Sequence, residues 1–368
     1  MSKTAPPFRA DHVGSLLRPP AVREARTRYS AGEIDDDERR AIEDTAIDEM
    51  IPKLEATGIE SITDGEFHRI FFHTDFLEQL DGVTVSGAIA SSSDSQETVG
   101  MTPPRLSVTG KLRHLRDIQV DDFEYLASRT SMTPKVAIPS PTMVHFRGGR
   151  DAIDVEAYPD LDEFFEDLAR CYREEITALH ATGCRYLQLD DTNLAYLCDP
   201  EMRQGAIDRG DDPDELPHTY AGLINAALAD RPEELSVAVH LCRGNYRSTW
   251  FASGGYEPVA EALFNELDVD AFFLEYDDER SGDFAPLRFV PEDKTVVLGL
   301  ITTKRPELES GDDLMSRIEE ASRYVPIDRL CLSPQCGFSS TIHGNEITEE
   351  DQWAKLRLVV DVASDVWS

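Results

Sequence analysis

LSVAVHLCRG, residues 235–244, is the stretch on which the fold turns. It is an apolar run bounded by Pro232 and Gly244, and its end carries two chemically capable side chains, His240 and Cys242. Apolar residues on both faces mark a strand of a parallel sheet covered by helices, because a half-exposed strand would alternate apolar with polar. The same cadence recurs on both sides of it. KVAIPSP (135–141) and RYLQLDD (185–191) precede it, and DAFFLEYD (270–277), TVVLGLITT (295–303) and RLCLSPQCG (329–337) follow. Helical stretches separate these runs: Leu161–Ala181, Pro217–Ala229, Tyr256–Leu267, Asp312–Tyr324 and a last one from Thr348 to Val362.

Upstream, a helical region runs from Ala21 to Ala56 with a break near Ser30–Gly32, and Gly58 stops it. IESITDGE (59–66) then reads as a strand ending in acid, and DHVGS (11–15) as an opening strand. That makes eight strand candidates alternating with helices, the pattern of an α/β TIM (β/α)8 barrel. The chain, residues 1–368, is expected to be one catalytic barrel domain. Residues 83–133 are expected to be an insertion after the second strand: the Ser/Gly-rich SGAIASSSDSQETVG is a loop, and LSVTGKL belongs to a hairpin. No GxGxxG follows a first strand, which argues against an open dinucleotide-binding sheet.

The chain has 71 acidic and 36 basic side chains, only seven of the latter lysine, and a formal charge of -35. Such a surface repels phosphate backbones and anionic lipid, so neither nucleic acid nor membrane is an expected partner. No run reaches the ~18–20 apolar residues a membrane span needs, and no leader-like apolar segment opens the chain, so a cytoplasmic location is expected. Six irregularly spaced cysteines in a chain of this length are not a disulfide framework.

Nearly every strand candidate ends in polar chemistry: Ser15, Asp64 and Glu66, Ser140, Asp190 and Asp191, His240 and Cys242, Glu275, Thr302 and Lys304, Cys336. A barrel gathers these ends on one rim, where active sites of this fold lie. His240 and Cys242 are two apart on a strand, so they face the same way with Cα atoms ~6.6 Å apart. With Glu275 and Cys336 they offer one nitrogen, two sulfurs and one oxygen, a set suited to tetrahedral Zn²⁺. The plainer alternative is that cysteines on buried strands are small core hydrophobes. Cys171, Cys184 and Cys198 are read that way. Cys331, five residues before Cys336, would face away from it on a regular strand.

HLCRGN (240–245), FFLEYD (272–277) and LSPQCGF (332–338), in this order, resemble the C-terminal catalytic domain of cobalamin-independent methionine synthases, and still more its single-domain relatives. HVGSLLRP (12–19), TDGEFHR (63–69) and LQLDD (187–191) look like further motifs of that family, and the resemblance spans residues 9–360. It implies a TIM barrel in which His240, Cys242, Glu275 and Cys336 hold a zinc that binds the sulfur of homocysteine. It further implies that Val13, Gly14 and Ser15 receive the amino-acid carboxylate, and that Glu66 and Asp190 grip its ammonium group. Asp64, His68 and Asp191 are read as structural.

Two departures from the family pattern concern the methyl donor. The full-length enzymes carry a second, N-terminal half, which 368 residues are expected to lack. Where the seventh-strand motif of those enzymes ends in a proton-donating histidine, LGLITTKRPELE places Lys304, a better anion anchor than acid. The expected partners are therefore a small-molecule thiol and a methyl donor, with a corrinoid protein among the donors and a homodimer left open. Arg18, Arg243, Arg247 and Arg305 are the local cations that could receive an anionic donor. Epoxide opening by another thiol, a metal-free lyase of the uroporphyrinogen decarboxylase kind, and a non-catalytic scaffold are the alternatives.

Overall fold

The computed structural model describes residues 3–88 and 104–367. Its strands are β1 (Ser61–Ile62), β2 (Asp81–Ala88), β3 (Pro104–Arg113), β4 (Thr133–Pro134), β5 (Val136–Pro139), β6 (Tyr186–Asp191), β7 (Ser236–Leu241), β8 (Ala271–Glu275), β9 (Thr295–Ile301) and β10 (Leu330–Pro334). β5 to β10 form one parallel six-stranded sheet in sequential order, each strand beside the next. β1 pairs in parallel with β4, immediately before β5, and Ala10 makes a parallel bridge to Leu332 of β10. The protein is thus an α/β fold on a parallel sheet, as the apolar runs require.

The inner and outer faces of the sheet separate by parity. Tyr186, Ala238, Ala271, Phe273, Val297 and Cys331 form a small cluster with Val13, distinct from the large core under the helices. Two residues further along the same faces come Gln188, His240 and Glu275, so the polar strand ends stand directly above this apolar plug. The register pairs Asp190 with His240 and Glu275 with Gly299. Glycine is required at position 299, where a Cβ would lie 2.7 Å from the Cα of Gln335. In β10 the register shifts between Ser333 and Pro334, which breaks the strand parity after Cys331 and turns the chain toward the rim where Cys336 sits.

Between the opening segment and β1 the connection runs through side chains. Asp11, fully buried, accepts from Ser61 Oγ at 2.7 Å and Tyr186 Oη at 2.8 Å, and pairs with Lys135 Nζ at 3.3 Å. His12 meets the Ser61 carbonyl at 3.0 Å, and Thr63 Oγ1 donates to the Gly14 carbonyl at 2.7 Å. Lys135 lies over the rings of Phe273 and Tyr186. This brace ties the opening segment, β1, β5 and β6 together beneath the site.

Several elements differ from expectation. IESITDGE contributes only the two residues of β1, because the chain turns at Gly65 (φ 67°) and Glu66 (φ 62°), with the Glu66 amide donating to Asp64. DHVGS is held by a single bridge next to it, not by a ladder. The Tyr256–Leu267 stretch is a 3-10 turn, Glu257–Val259, followed by a π turn, Ala262–Glu266. Within the 83–133 region, β2 and β3 do form an antiparallel hairpin, and a helix the pattern did not suggest, Val120–Ala127, follows. The loop expected between the hairpin strands falls at 89–103, outside the described residues. Among the described residues no helix is long and apolar enough to cross a membrane.

Candidate metal and substrate site

β7 carries His240 near its end with Cys242 just beyond it, β8 ends in Glu275, and Cys336 follows β10 by two residues. All four are buried, and one ligand atom from each lies within 4.8 Å of the others. The two Sγ atoms are 3.4 Å apart. Two thiolates on one tetrahedral Zn²⁺ with Zn–S near 2.3 Å would stand ~3.8 Å apart, so the pocket has the right scale. One oxygen of Glu275 contacts Arg280 at 3.4 Å, while Oε1 is buried with no partner among the described residues. An orphaned buried carboxylate oxygen beside two thiols is destabilising unless a cation faces it. The donor set therefore fits a zinc ion, and fits magnesium or calcium poorly.

Charge is already arranged for this. Burial opposes a proton on His240, but the Asp190 contact at 3.3 Å and the facing Cys336 outweigh it and lift the imidazole to about 9. The hydrogen bond between the thiols, helped by burial, pushes Cys242 well above the ordinary thiol range. The same bond, with His240 opposite, lowers Cys336. A carboxylate behind the ligating imidazole is the usual arrangement for fixing ring tautomer and orientation.

Beside these four residues opens a cleft to which Val13, Ser15, Glu66 and Asp190 all contribute. Gly14 (φ 146°) is forced to be glycine, since a Cβ would lie 2.9 Å from Glu66 Oε1. Glu66 occupies the left-handed region, which costs a non-glycine residue of order 1–3 kcal/mol and aims its carboxylate into the cleft. Burial raises the Glu66 pKa, and neighbouring Asp190 adds to the effect against the pull of Arg69. Gln188 Nε2 donates to Asp190 Oδ1 at 2.7 Å and to the Val13 carbonyl at 2.8 Å, fixing the acid relative to the opening segment.

Lys304 is placed differently. It lines a neighbouring cavity with Trp250, Asp278, Arg280 and Arg305. Its buried Nζ has no hydrogen-bond partner among the described residues, and its charge still acts on both Cys242 and Cys336. The arginines expected to receive an anion also divide. Arg18 is buried and donates to the backbone carbonyls of Glu66, Arg69, Ser339 and Thr341, so it stitches the rim together. Arg243 is buried against Tyr256 and bonds its Oη and the Gly254 carbonyl. Neither offers a free guanidinium, whereas Arg247 and Arg305 are exposed.

Sequence reasoning missed Arg69, which pairs with Glu66 at 2.6 Å and reaches Asp190 at 3.7 Å. Its signal was its place three residues after Glu66 in TDGEFHR. Asn245 was missed too; its Nδ2 donates to the Gly337 carbonyl at 2.7 Å and ties the β7 end to the Cys336 loop. Phe71, Phe72, Tyr196, Tyr246 and Phe251 form the aromatic wall of the cleft. They come from three separate segments, the turn after β1, the short helix Asn193–Tyr196 and the loop after β7, and no local pattern marks them. Cys171, Cys184 and Cys198 lie buried in the core, as expected, and Asp191 caps Leu194 and bonds Thr142.

A family model for the catalytic domain of cobalamin-independent synthases matches residues 8–365. The chain belongs to that family. It is 48% identical over 363 residues to the Uncharacterized protein YxjH of Bacillus subtilis, covering 98% of this chain and 95% of that one. A solved Listeria monocytogenes structure of the vitamin-B12-independent methionine synthase type superposes with TM-score 0.80 at 41% identity over 100% of both chains. The 5-methyltetrahydropteroyltriglutamate–homocysteine methyltransferase of Bacillus licheniformis is 24% identical over 89% of this chain, which spans only 39% of that protein. The family is one of methyltransferase-like enzymes.

Proposed function

We propose that the protein is a zinc-dependent methyltransferase that activates a thiol, homocysteine first among candidates, and transfers a methyl group to it to give methionine. The observation that carries this reading is the cluster of His240, Cys242, Glu275 and Cys336, with a partnerless Glu275 oxygen, opening onto a cleft that presents Glu66 and Asp190. A metal-free lyase has no use for two buried thiols 3.4 Å apart beside an orphaned carboxylate. The sheet is read as an eight-unit TIM barrel of one domain, closed by the Asp11–Ser61–Lys135 brace, with the hairpin and Val120–Ala127 inserted after the second strand. A cytoplasmic enzyme acting on small molecules follows from the same reading.

When bound, zinc would remove the thiol proton and hold the sulfur as a thiolate, the form that attacks carbon. The chain's residues do the rest. Val13, Gly14 and Ser15 present backbone and hydroxyl to the substrate carboxylate, while Glu66 and Asp190 receive its ammonium group. Arg69 and Gln188 hold those two acids in place. The sulfur lone pair forms the new S–CH3 bond as the methyl–donor bond breaks, and that bond's electron pair leaves with the donor. The aromatic wall excludes water from this step. Lys304, from the neighbouring cavity, supplies positive charge on the donor side and suits an anionic donor better than a proton-requiring one.

The test is a transfer assay on zinc-loaded protein, offering homocysteine and other thiols against methyltetrahydrofolates, methylcobalamin and small methyl-sulfur compounds. Methionine formed only with zinc present supports the proposal. Zinc stoichiometry far below one per chain, unrestored by added zinc, sinks it. Failure of homocysteine while another thiol is alkylated would keep the chemistry and change the substrate.

A further inference from the structure

A second cluster lies away from the thiols, where the helix Asp36–Glu55, the turn carrying Glu66 and the helix Val120–Ala127 meet. His68 Nδ1 stands 3.4 Å from Asp64 Oδ2 and 3.3 Å from Asp122 Oδ1. The His68 side chain is only 2% exposed, and its Nδ1 faces two carboxylates that it can pair with only when the ring is protonated. The opposite ring nitrogen, Nε2, meets Asp44 Oδ1 at 2.9 Å. With Nε2–H donating to Asp44, a neutral ring turns its Nδ1 lone pair toward two anions, an arrangement that repels unless a positive charge sits between them.

We propose that Asp64, His68 and Asp122 form a divalent-cation site, with Asp44 as the carboxylate that orients the imidazole. The three ligand atoms lie within 4.8 Å of one another. One nitrogen and two carboxylates suit Mn²⁺ or Zn²⁺, and the histidine–carboxylate relay to Asp44 is the support that ligating imidazoles ordinarily have. The charges close as well. Three aspartates face one arginine, Arg40, which contacts Asp122 at 2.6 Å and Asp44 at 3.5 Å. That leaves about two negative charges for one divalent ion. Burial opposes charge on the ring, yet Asp64 and Asp122 outweigh it and raise the His68 pKa, so the position attracts positive charge. Asp64 and Asp122 also border a small surface pocket, which gives an ion an entry path. The ion would pin the turn that aims Glu66 into the cleft, and it is independent of whichever metal the thiols hold.

Mn²⁺ titration followed by electron paramagnetic resonance tests this, because free Mn²⁺ gives a sharp six-line signal that is lost on binding. Thiolate ligands discriminate against Mn²⁺, so the thiol-bearing site does not interfere. One bound Mn²⁺ per chain is expected, with Asp122→Asn and His68→Gln each weakening it by roughly tenfold or more. Asp64→Asn serves as the third variant should either fail to fold by circular dichroism. No loss of signal up to millimolar Mn²⁺, or equal binding by folded variants, overturns the site and leaves a ring proton on His68, beside Arg40, to balance the carboxylates.

Discussion

Replacing Lys135 with Met tests the brace that holds the opening segment against the sheet. In the parent, Lys135 and Asp11 are both fully buried, 3.3 Å apart. Removing one partner of such a pair costs about 3–5 kcal/mol, because the other charge stays buried. Asp11 keeps four donors: Ser61 Oγ, Tyr186 Oη and the amides of His12 and Phe8. They set the loss at the lower end, about 3 kcal/mol. The ring contacts with Phe273 and Tyr186 add about 1 kcal/mol more. Burial opposes ionisation of Asp11, and Lys135 overcomes that and holds its pKa below the ordinary value. Without the lysine the carboxyl can escape by taking a proton, so the defect narrows as pH falls toward the carboxylate range. The assay is urea unfolding followed by far-ultraviolet circular dichroism at pH 7.5 and pH 5, on Lys135→Met and on the double variant with Asp11→Asn. A single variant within 1 kcal/mol of the parent, or a double variant no more stable than the single, refutes the reasoning.

Cys242→Ser and Cys336→Ser should each lower bound zinc well below one per chain while the far-ultraviolet spectrum is kept, as metal analysis will read. Glu66→Gln and Gly14→Ala should raise KM for the amino-acid thiol by roughly tenfold, about 1.4 kcal/mol of lost binding, and a change confined to kcat would count against the ammonium role. Lys304→Met should slow transfer while zinc stays at one per chain, and loss of zinc instead would move Lys304 from the donor to the metal. His12 is lowered to about 4 by burial and Lys135, and His73 to about 3 by burial and Arg147. Both stay neutral in the fold while the unfolded chain protonates them, so stability should fall as pH drops from about 6.5 toward 4, by on the order of 3 kcal/mol for His12. Unfolding free energies flat across that window would show the two rings are not held neutral.

The parts legible in the sequence were those with a short period. His240 and Cys242 share a face because strand parity is two, and the apolar runs flanking them announce a parallel sheet without any partner known. Glu275 and Cys336 were legible only as strand ends, together with the family motifs around them. Cys331 and Cys336 show where parity fails: a register shift between Ser333 and Pro334 has no signal in the residues themselves. Arg18 and Arg243 look like anion receptors by type and become backbone ties by burial. Lys304 sits at a strand end as expected, but which cavity it enters depends on the loops carrying Trp250 and Arg280. The helix Val120–Ala127 holds one side of the Asp64–His68–Asp122 cluster, and its eight residues are too few to stand out by periodicity.

The bridge between Ala10 and Leu332 also sets an order of events during synthesis. Ser15 and Arg18 leave the ribosome more than three hundred residues before the groups that complete their surroundings, Phe338, Ser339 and Thr341. Until Leu332 and Cys336 have emerged, the opening segment lacks its one strand bridge and the cluster is missing a sulfur. Contacts of such long range are slow to form. The rim that gathers these residues therefore forms late, and a nascent chain interrupted before Leu330 has neither all four clustered side chains nor the bridge that docks its opening segment.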